Sequence, residues 1–479
     1  MDCTGLESFR AGLYDSFTSG ADVLMNASDA LLTETSARSF PELSLSPFFT
    51  RGWGSLYQGF QRGICDRSAL RRHLILHAPV GLGEGTFQGL LLGIDASSIY
   101  RAEARTSRDR THQFVHNVPG SRIPVKAGWS FSALVVLPQE PSSWTYTLDN
   151  TRIPSEKTAA EVAIEQLTAI LPGLNARLPE GERARLVGDR YYPSAGFLQS
   201  LSRLPIDGLF RVQGHRVLYG PAPPRTKEAG RPRLDGDRFQ CKDPATHRCP
   251  DAFFSGSDEK GRPYTVAGWS ELHFKACRDV PLWLFEVTRP QAPGSKRHPR
   301  VSWFVTLGRP LKPAEVPSTY ARRFSQEHGY KFDKRSLLWE GPRLRTPEQF
   351  QLWTDLVAAT HDEIFLARPL VADLRLPWED VTRLATPQQV RRGLTRIMPE
   401  LGTPAKVCQP RGNAPGRPIG ATVKPAPRFT VIKKQPKTKK IQPEPRTKPL
   451  SPSTPTPSTL PWIPPAWLIE QARRAAAFV

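Results

Sequence analysis

Long apolar runs are missing from this chain of 479 residues. The longest, such as FSALVVLP at 131–138, fall far short of the roughly 20 residues a membrane helix needs. The N-terminal stretch MDCTGLESFRAG carries an early acid and no apolar h-region, so a signal peptide is not expected. Cysteine is sparse: Cys3, Cys65, Cys241, Cys249, Cys277 and Cys408 are scattered without a CxxC pair. That excludes a disulfide framework and reads as reduced thiols. Acid is also short, with 45 Asp and Glu against 66 Lys and Arg and a net charge of +21. These absences describe a soluble, intracellular protein with a polyanionic partner, most often nucleic acid.

The charge is unevenly placed. Between Thr403 and Leu450 twelve Lys and Arg face one Glu, so about half of the excess lies in one Pro- and Lys-rich tail. Residues 403–460 have no apolar periodicity and are expected to be disordered, with a short terminal helix at 461–479. The tail suits non-specific DNA binding through counterion release; a solubilising linker is the plainer reading. Residues 1–85 show helical spacing of apolar positions, as in SFTSGADVLMNASDALL. They form a helical, DNA-binding domain with Arg71 and Arg72 facing phosphate, or else an ordinary helical bundle. From residue 86 the texture becomes α/β. FQGLLLGIDASSIYR, GWSFSALVVLP and RARLVGDRYYPS read as strands, and GLFRVQGHRVLYG as a strand or hairpin. SEKTAAEVAIEQLTAILPGL reads as a helix ending at Pro-Gly. Residues 221–315 look like a β-rich insertion, with VPLWLFEVTRP and RVSWFVTLGRPL as a pair. Residues 316–402 return to helix.

Two acids share one context. Asp95 in LLLGIDAS and Asp189 in RLVGDRYY each end a short apolar run. There a rigid strand would carry a carboxylate to the rim of the sheet, where α/β folds place ligands; a strand-ending Asp that caps a turn is the common alternative. A third acid lies in YARRFSQEHGYKFDK. At about 100° per residue, Tyr320, Arg323, Glu327 and Lys334 fall at roughly 0°, 300°, 340° and 320°, on one helix face. An Arg323–Glu327 pair on a solvated face would explain two of the four. Gly329, in the middle, costs a helix about 1 kcal/mol relative to alanine, and marks a bend or a close approach of DNA at the site.

The spacing Tyr320-x2-Arg323-x3-Glu327-x6-Lys334 resembles the Y-(2)-R-(3)-E-(6)-K motif of bacterial insertion-sequence transposases of the DDE superfamily. GIDASSIYR resembles that family's first-Asp strand and LVGDRYYPS its second, and the likeness extends over roughly residues 40–370. The intervals, 94 residues from Asp95 to Asp189 and 138 to Glu327, agree with members that carry a β-rich insertion before the glutamate; the short second gap of retroviral integrases does not fit. The resemblance implies an α/β, ribonuclease-H-like mixed sheet with flanking helices, with the two Asp on adjacent central strands and Glu327 on a helix packed beside them (catalytic segments 86–220 and 316–402). It further implies that Asp95, Asp189 and Glu327 are catalytic and hold two Mg²⁺ ions, with Mn²⁺ as a substitute. One ion would activate water or a DNA 3′-hydroxyl and the other stabilise the leaving oxygen. Tyr320, Arg323, Lys334 and, more weakly, Arg190 would bind DNA phosphates. The implied partners are double-stranded DNA, as element ends and target, and a second copy in a DNA-bound dimer, in the bacterial nucleoid. A non-catalytic DNA-binding descendant and a nuclease without strand transfer remain the alternatives.

Other signals are set aside. GLGEGTF lacks the Gly-Lys-Ser/Thr ending of a phosphate loop and reads as a turn. Cys241, His247 and Cys249 have no second pair at zinc spacing. His112 and His116 sit in what reads as an exposed loop, and Asp235, Asp237 and Asp333 are off-face or in loops.

Overall fold

Strand-forming runs rich in Val, Ile, Leu and Phe build one large sheet, and the helices before and after them supply its cover. The computed structural model describes residues 3–434 apart from 81, 84–85, 88, 116–124, 140–141, 225–231, 292–299, 372–373, 410–415, 417 and 423–424. Most of the basic tail and all of the terminal helix expected at 461–479 lie outside the described residues.

The chain opens with helices α1 (Thr4–Asp15), α2 (Ala21–Thr33), α3 (Trp53–Arg62) and α4 (Arg67–His77). Asp66 caps α4 by accepting from Ser68 N and Ala69 N, a typical use of Asp at a helix start. The strands follow: β1 (Leu91–Tyr100), β2 (Thr111–Phe114), β3 (Val125–Val136) and β4 (Tyr146–Ile153). Helix α5 (Ala159–Asn175) starts with a Thr158–Glu161 capping box. It does not stop at Pro-Gly as expected but carries Pro172 inside it, its Leu167, Ile170, Leu171 and Leu174 buried against the sheet. Apolar burial of this last turn outweighs the lost hydrogen bond. Then come β5 (Arg185–Gly188), α6 (Ala195–Leu201), β6 (Asp207–Val212) and β7 (Val217–Tyr219).

The insertion contributes β8 (Arg238–Gln240), β9 (Ala252–Ser257), β10 (Pro263–Phe274), β11 (Cys277–Arg289) and β12 (Arg300–Leu307). Helices α7 (Glu315–Ala321), α8 (Phe324–Arg335), α9 (Pro347–Ala367) and α10 (Pro387–Leu401) close the described chain.

The sheet runs β8-β7-β10-β11-β12-β6-β5-β1-β3-β2, with β9 beside β10 and β4 beside β3. Strands β1, β5 and β6 are parallel; β3 is antiparallel to β1, and β4 to β3. This mixed sheet, with both aspartates on adjacent central strands and the glutamate helix laid beside them, is the expected ribonuclease-H-like arrangement. The predicted pair β11–β12 forms, with Phe285 opposite Phe304. The insertion is no separate layer, because β12 pairs antiparallel with β6 and so extends the central sheet. β6 and β7 do not make a hairpin, since β7 turns away to pair with β8 and β10. His112 lies on strand β2, not in a loop.

Helices α1 to α4 share one core with α9 and α10, in which Phe9, Phe40, Phe60, Trp353 and Leu394 are buried together. Arg10 joins them: its guanidinium bonds Asp29 on α2, Glu363 on α9 and, at 3.1 Å, the carbonyl of Gly402. Arg71 does not point outward but pairs with buried Asp149 at 3.0 Å. After α10 the chain returns to the sheet, where Phe429 N donates to Arg105 O (2.8 Å) and Ile432 N to Arg110 O (2.7 Å). A parallel bridge joins Ile432 to Thr111 on the edge strand β2, which covers that edge's unpaired backbone groups.

Candidate active site

The parallel pairing of β1 with β5 aligns Ile94 with Gly188. Continuing that register by one residue sets Asp95 beside Asp189, and neighbours in register on adjacent strands point to the same face. Asp95 accepts from Ala96 N at 2.9 Å. Asp189 accepts from Tyr191 N at 2.9 Å, so it caps its turn as well as facing the site.

Helix α8 is fastened across this face by three side chains at i, i+4 and i+8. Gln326 donates to Ala133 O at 2.9 Å, Tyr330 to Asp95 O at 2.9 Å, and Lys334 to Ser98 O at 2.7 Å. Two glycines make room. A Cβ on Gly93 would meet Gln326 Oε1 at 2.8 Å, and one on Gly329 would meet Thr145 Oγ1 at 2.7 Å. Gly329 therefore marks close packing of α8 on the segment entering β4. The helix is interrupted elsewhere, at Arg322 and Arg323, where α7 ends and α8 begins. Both residues keep helical dihedrals there.

Arg323 sits at that junction and gathers the acids. Its guanidinium lies 3.4 Å from Asp95 Oδ2 and 2.8 Å from Glu327 Oε1. Its side chain is 9% exposed, against 19% for Asp95 and 51% for Glu327, so the pair with Asp95 is the sheltered one. Burial pushes the Asp95 carboxyl up to about 7; Arg323 opposes the shift, and the neighbouring charges of Asp189 and Glu327 add to it. Burial also raises Asp189. Burial works against the Arg323 charge, but Tyr320, Asp95 and Glu327 outweigh it and raise its pKa. Arg323, Arg190 and Arg211 oppose the rise at Asp189.

Of the residues expected from sequence, Asp95, Arg323 and Glu327 are in direct contact, and Asp189 is adjacent by register. Tyr320 packs its ring edge-on against Phe304, 4.8 Å between centroids, with Arg323 over its face at 5.6 Å. Lys334 stands apart, on Ser98 and, at 2.8 Å, Glu340. Arg190 lies over the exposed ring of Tyr191 at 5.1 Å. The sequence reading missed Gln326 and Tyr330, although their four-residue spacing with Lys334 is a legible helical stripe.

Three carboxylates are hard oxygen donors and fit a divalent cation in kind. In position, the Arg323 guanidinium stands between Asp95 and Glu327. Among the described residues no group of three or more His, Cys, Asp or Glu is arranged to hold a metal ion. Cys241, His247 and Cys249 make no such group either: His247 stacks on Phe239 at 4.3 Å and bonds Gln240 O.

Among known proteins, the family model described as DDE superfamily endonuclease matches residues 12–270. Asp95 and Asp189 lie inside that span, and Glu327 lies beyond it. No curated protein matches. A solved structure, the cryo-EM piggyBac transposase synaptic complex with hairpin DNA, is similar at 10% identity and a TM-score of 0.40, over 78% of this chain and 70% of that one. A likeness that distant carries no inference. The family model, which takes in the first two strands' acids and more than half of the sequence, does: the chain belongs to the DDE superfamily endonucleases.

Proposed function

We propose that the chain is a DNA transposase that cuts the ends of an insertion sequence and joins the freed 3′-hydroxyl to target DNA. The observation that carries this reading is the placement of Asp95 and Asp189 side by side on one sheet face, with Glu327 brought to them through Arg323. Asp95, Asp189 and Glu327 would hold Mg²⁺, or Mn²⁺ in its place, which supplies charge neutralisation and an activated oxygen nucleophile. Arg323 holds the carboxylates together without the ion. Its guanidinium fork would also suit a phosphate oxygen of the DNA. Tyr320 supports the Arg323 fork. Arg190 would add a cation for the DNA backbone, and Lys334 would do so by leaving Ser98 and Glu340.

The test is a reaction with linear element ends, Mg²⁺ and a target plasmid. Joined product supports the transposase, cutting alone a nuclease, and binding alone a non-catalytic DNA-binding protein. Asp95→Ala, Asp189→Ala and Glu327→Ala are each expected to abolish cutting while the protein stays folded by circular dichroism. Retained cutting in any of them removes that residue from the set. Inverted repeats bracketing the reading frame would support an insertion sequence as its context, and a DNA-dependent doubling of mass in light scattering would support the dimer.

A further inference from the structure

Past Asp95, β1 runs on to Tyr100 and then into a loop at Arg101 that faces the turn after α8. Between them lies a polar cleft of about 460 Å³. Arg101, Arg343 and Arg345 line it, with Ser107, Glu103 and Glu340. Glu340 is already paired with Lys334, which leaves three guanidinium groups against Glu103.

Two of its polar atoms are buried without a partner. Arg101 Nε and Ser107 Oγ make no hydrogen bond, although Arg101 is 6% and Ser107 1% exposed. Orphaned buried donors are costly. Arg101 is held rigidly by donating to the carbonyls of Pro342 and Leu344. Burial, then Arg343, lower its pKa to about 10, so it is charged at neutral pH. The side chains of Arg343 and Arg345 are exposed and show no hydrogen-bond or ion-pair partner among the described residues. The loop that carries Ser107 is held on both sides, because Phe429 N and Ile432 N donate to the carbonyls of Arg105 and Arg110.

We propose that this cleft is a second phosphate site, which takes the backbone of duplex DNA flanking the cut. The proposal rests on the DNA reading above and adds to it a surface with a definite offset. Arg101 is six residues beyond Asp95, about 20 Å along a strand. At about 3.4 Å per base pair, this is some five to six base pairs from the scissile phosphate. Ser107 and Arg101 would donate to one phosphate, while Arg343 and Arg345 neutralise its neighbours.

The test compares R343A/R345A with wild type on a 24-base-pair duplex, reading affinity as a function of salt. Each lost phosphate contact lowers the slope of log K against log salt by about 0.9, so the double variant is expected to lose about 1.8 with its thermal midpoint unchanged. R203A/K260A removes two exposed charges elsewhere and should keep the wild-type slope. An equal loss in both pairs, or none in the first, overturns the site. Titration with inorganic phosphate separates the sources. Saturable phosphate binding lost in R343A/R345A, with the DNA slope unchanged, reassigns the cleft to a small phosphorylated ligand and overturns the duplex. Wild-type protein that binds duplex with the expected slope difference but never cuts it supports the cleft and sinks only the transposase.

Discussion

Asp95 shows how one residue ties chemistry to stability. Its folded pKa of about 7 lies above the ordinary carboxylate value, so between about pH 4 and 7 the folded state binds more protons than the unfolded one. Stability attached to this group is therefore complete below about pH 4 and is lost as pH rises through 7. Asp95→Asn removes that dependence. Thermal midpoints of wild type and variant, measured with chelator across pH 4 to 8, should diverge upward with pH in favour of the variant; parallel curves would refute the raised pKa. Gly329 gives a second test. Gly329→Ala gains about 1 kcal/mol of helix propensity but drives a Cβ to 2.7 Å from Thr145 Oγ1, an overpacking cost of about 1–3 kcal/mol. It is expected to destabilise the protein on its own and to stabilise it by about 1 kcal/mol in a Thr145→Ala background. Denaturant midpoints of the four proteins report that change of sign.

At the scale of elements, α8 does two jobs with neighbouring side chains of one face. Gln326, Tyr330 and Lys334 fasten it to β1 and β3, and Arg323 and Glu327 address the acids. Tyr330→Phe deletes two hydrogen bonds, the one donated to Asp95 O and the one accepted from Gln326 Nε2, at a cost of about 1 kcal/mol each. It should slow cutting by changing kcat more than KM, because the helix and not the substrate is displaced; an effect on KM alone would argue against this positioning role. The periodicity of α8 was legible in sequence, as were the apolar runs that lead into Asp95 and Asp189, but only Asp189 follows the end of its strand, because β1 runs on past Asp95 to Tyr100. The break between α7 and α8 was not, because Arg322 and Arg323 keep helical dihedrals and carry no Gly or Pro signal. Nor was the run of α5 through Pro172, which burial on the sheet decides. Strand β4, absent from the sequence reading, holds buried Asp149 in a polar TYTLDNTRI stretch that masks its pattern. That carboxylate is tolerated because Arg67 and Arg71 reach it at 2.9 and 3.0 Å.

At the scale of the whole molecule, the first helices and the last share a core through Arg10, Asp29 and Glu363. Removing one member of a buried ion network leaves uncompensated charge and costs about 3–5 kcal/mol. Arg10→Met is expected to cost that much and to lower one cooperative calorimetric transition. A separate early transition for a fragment of the molecule would show that α1 to α4 fold independently. The same scale explains why the insertion reads as separate in sequence but is not. Its strands β8 to β12 have the alternation of any antiparallel sheet, and only the pairing of β12 with β6 shows that they continue the catalytic one.

The sequence by itself determined where the acids lie along the chain, that apolar strand-forming runs lead into Asp95 and Asp189, and that Glu327 and Lys334 share a helix face. Those features are local, set by periods of two and 3.6 residues. Tertiary structure decided the rest: the register that puts Asp95 next to Asp189, the interposed Arg323 and the packing of Gly329 on Thr145. It also decided the turning of Lys334 toward Ser98 and Glu340. Each of these depends on contacts between residues far apart in the chain, which no local period encodes.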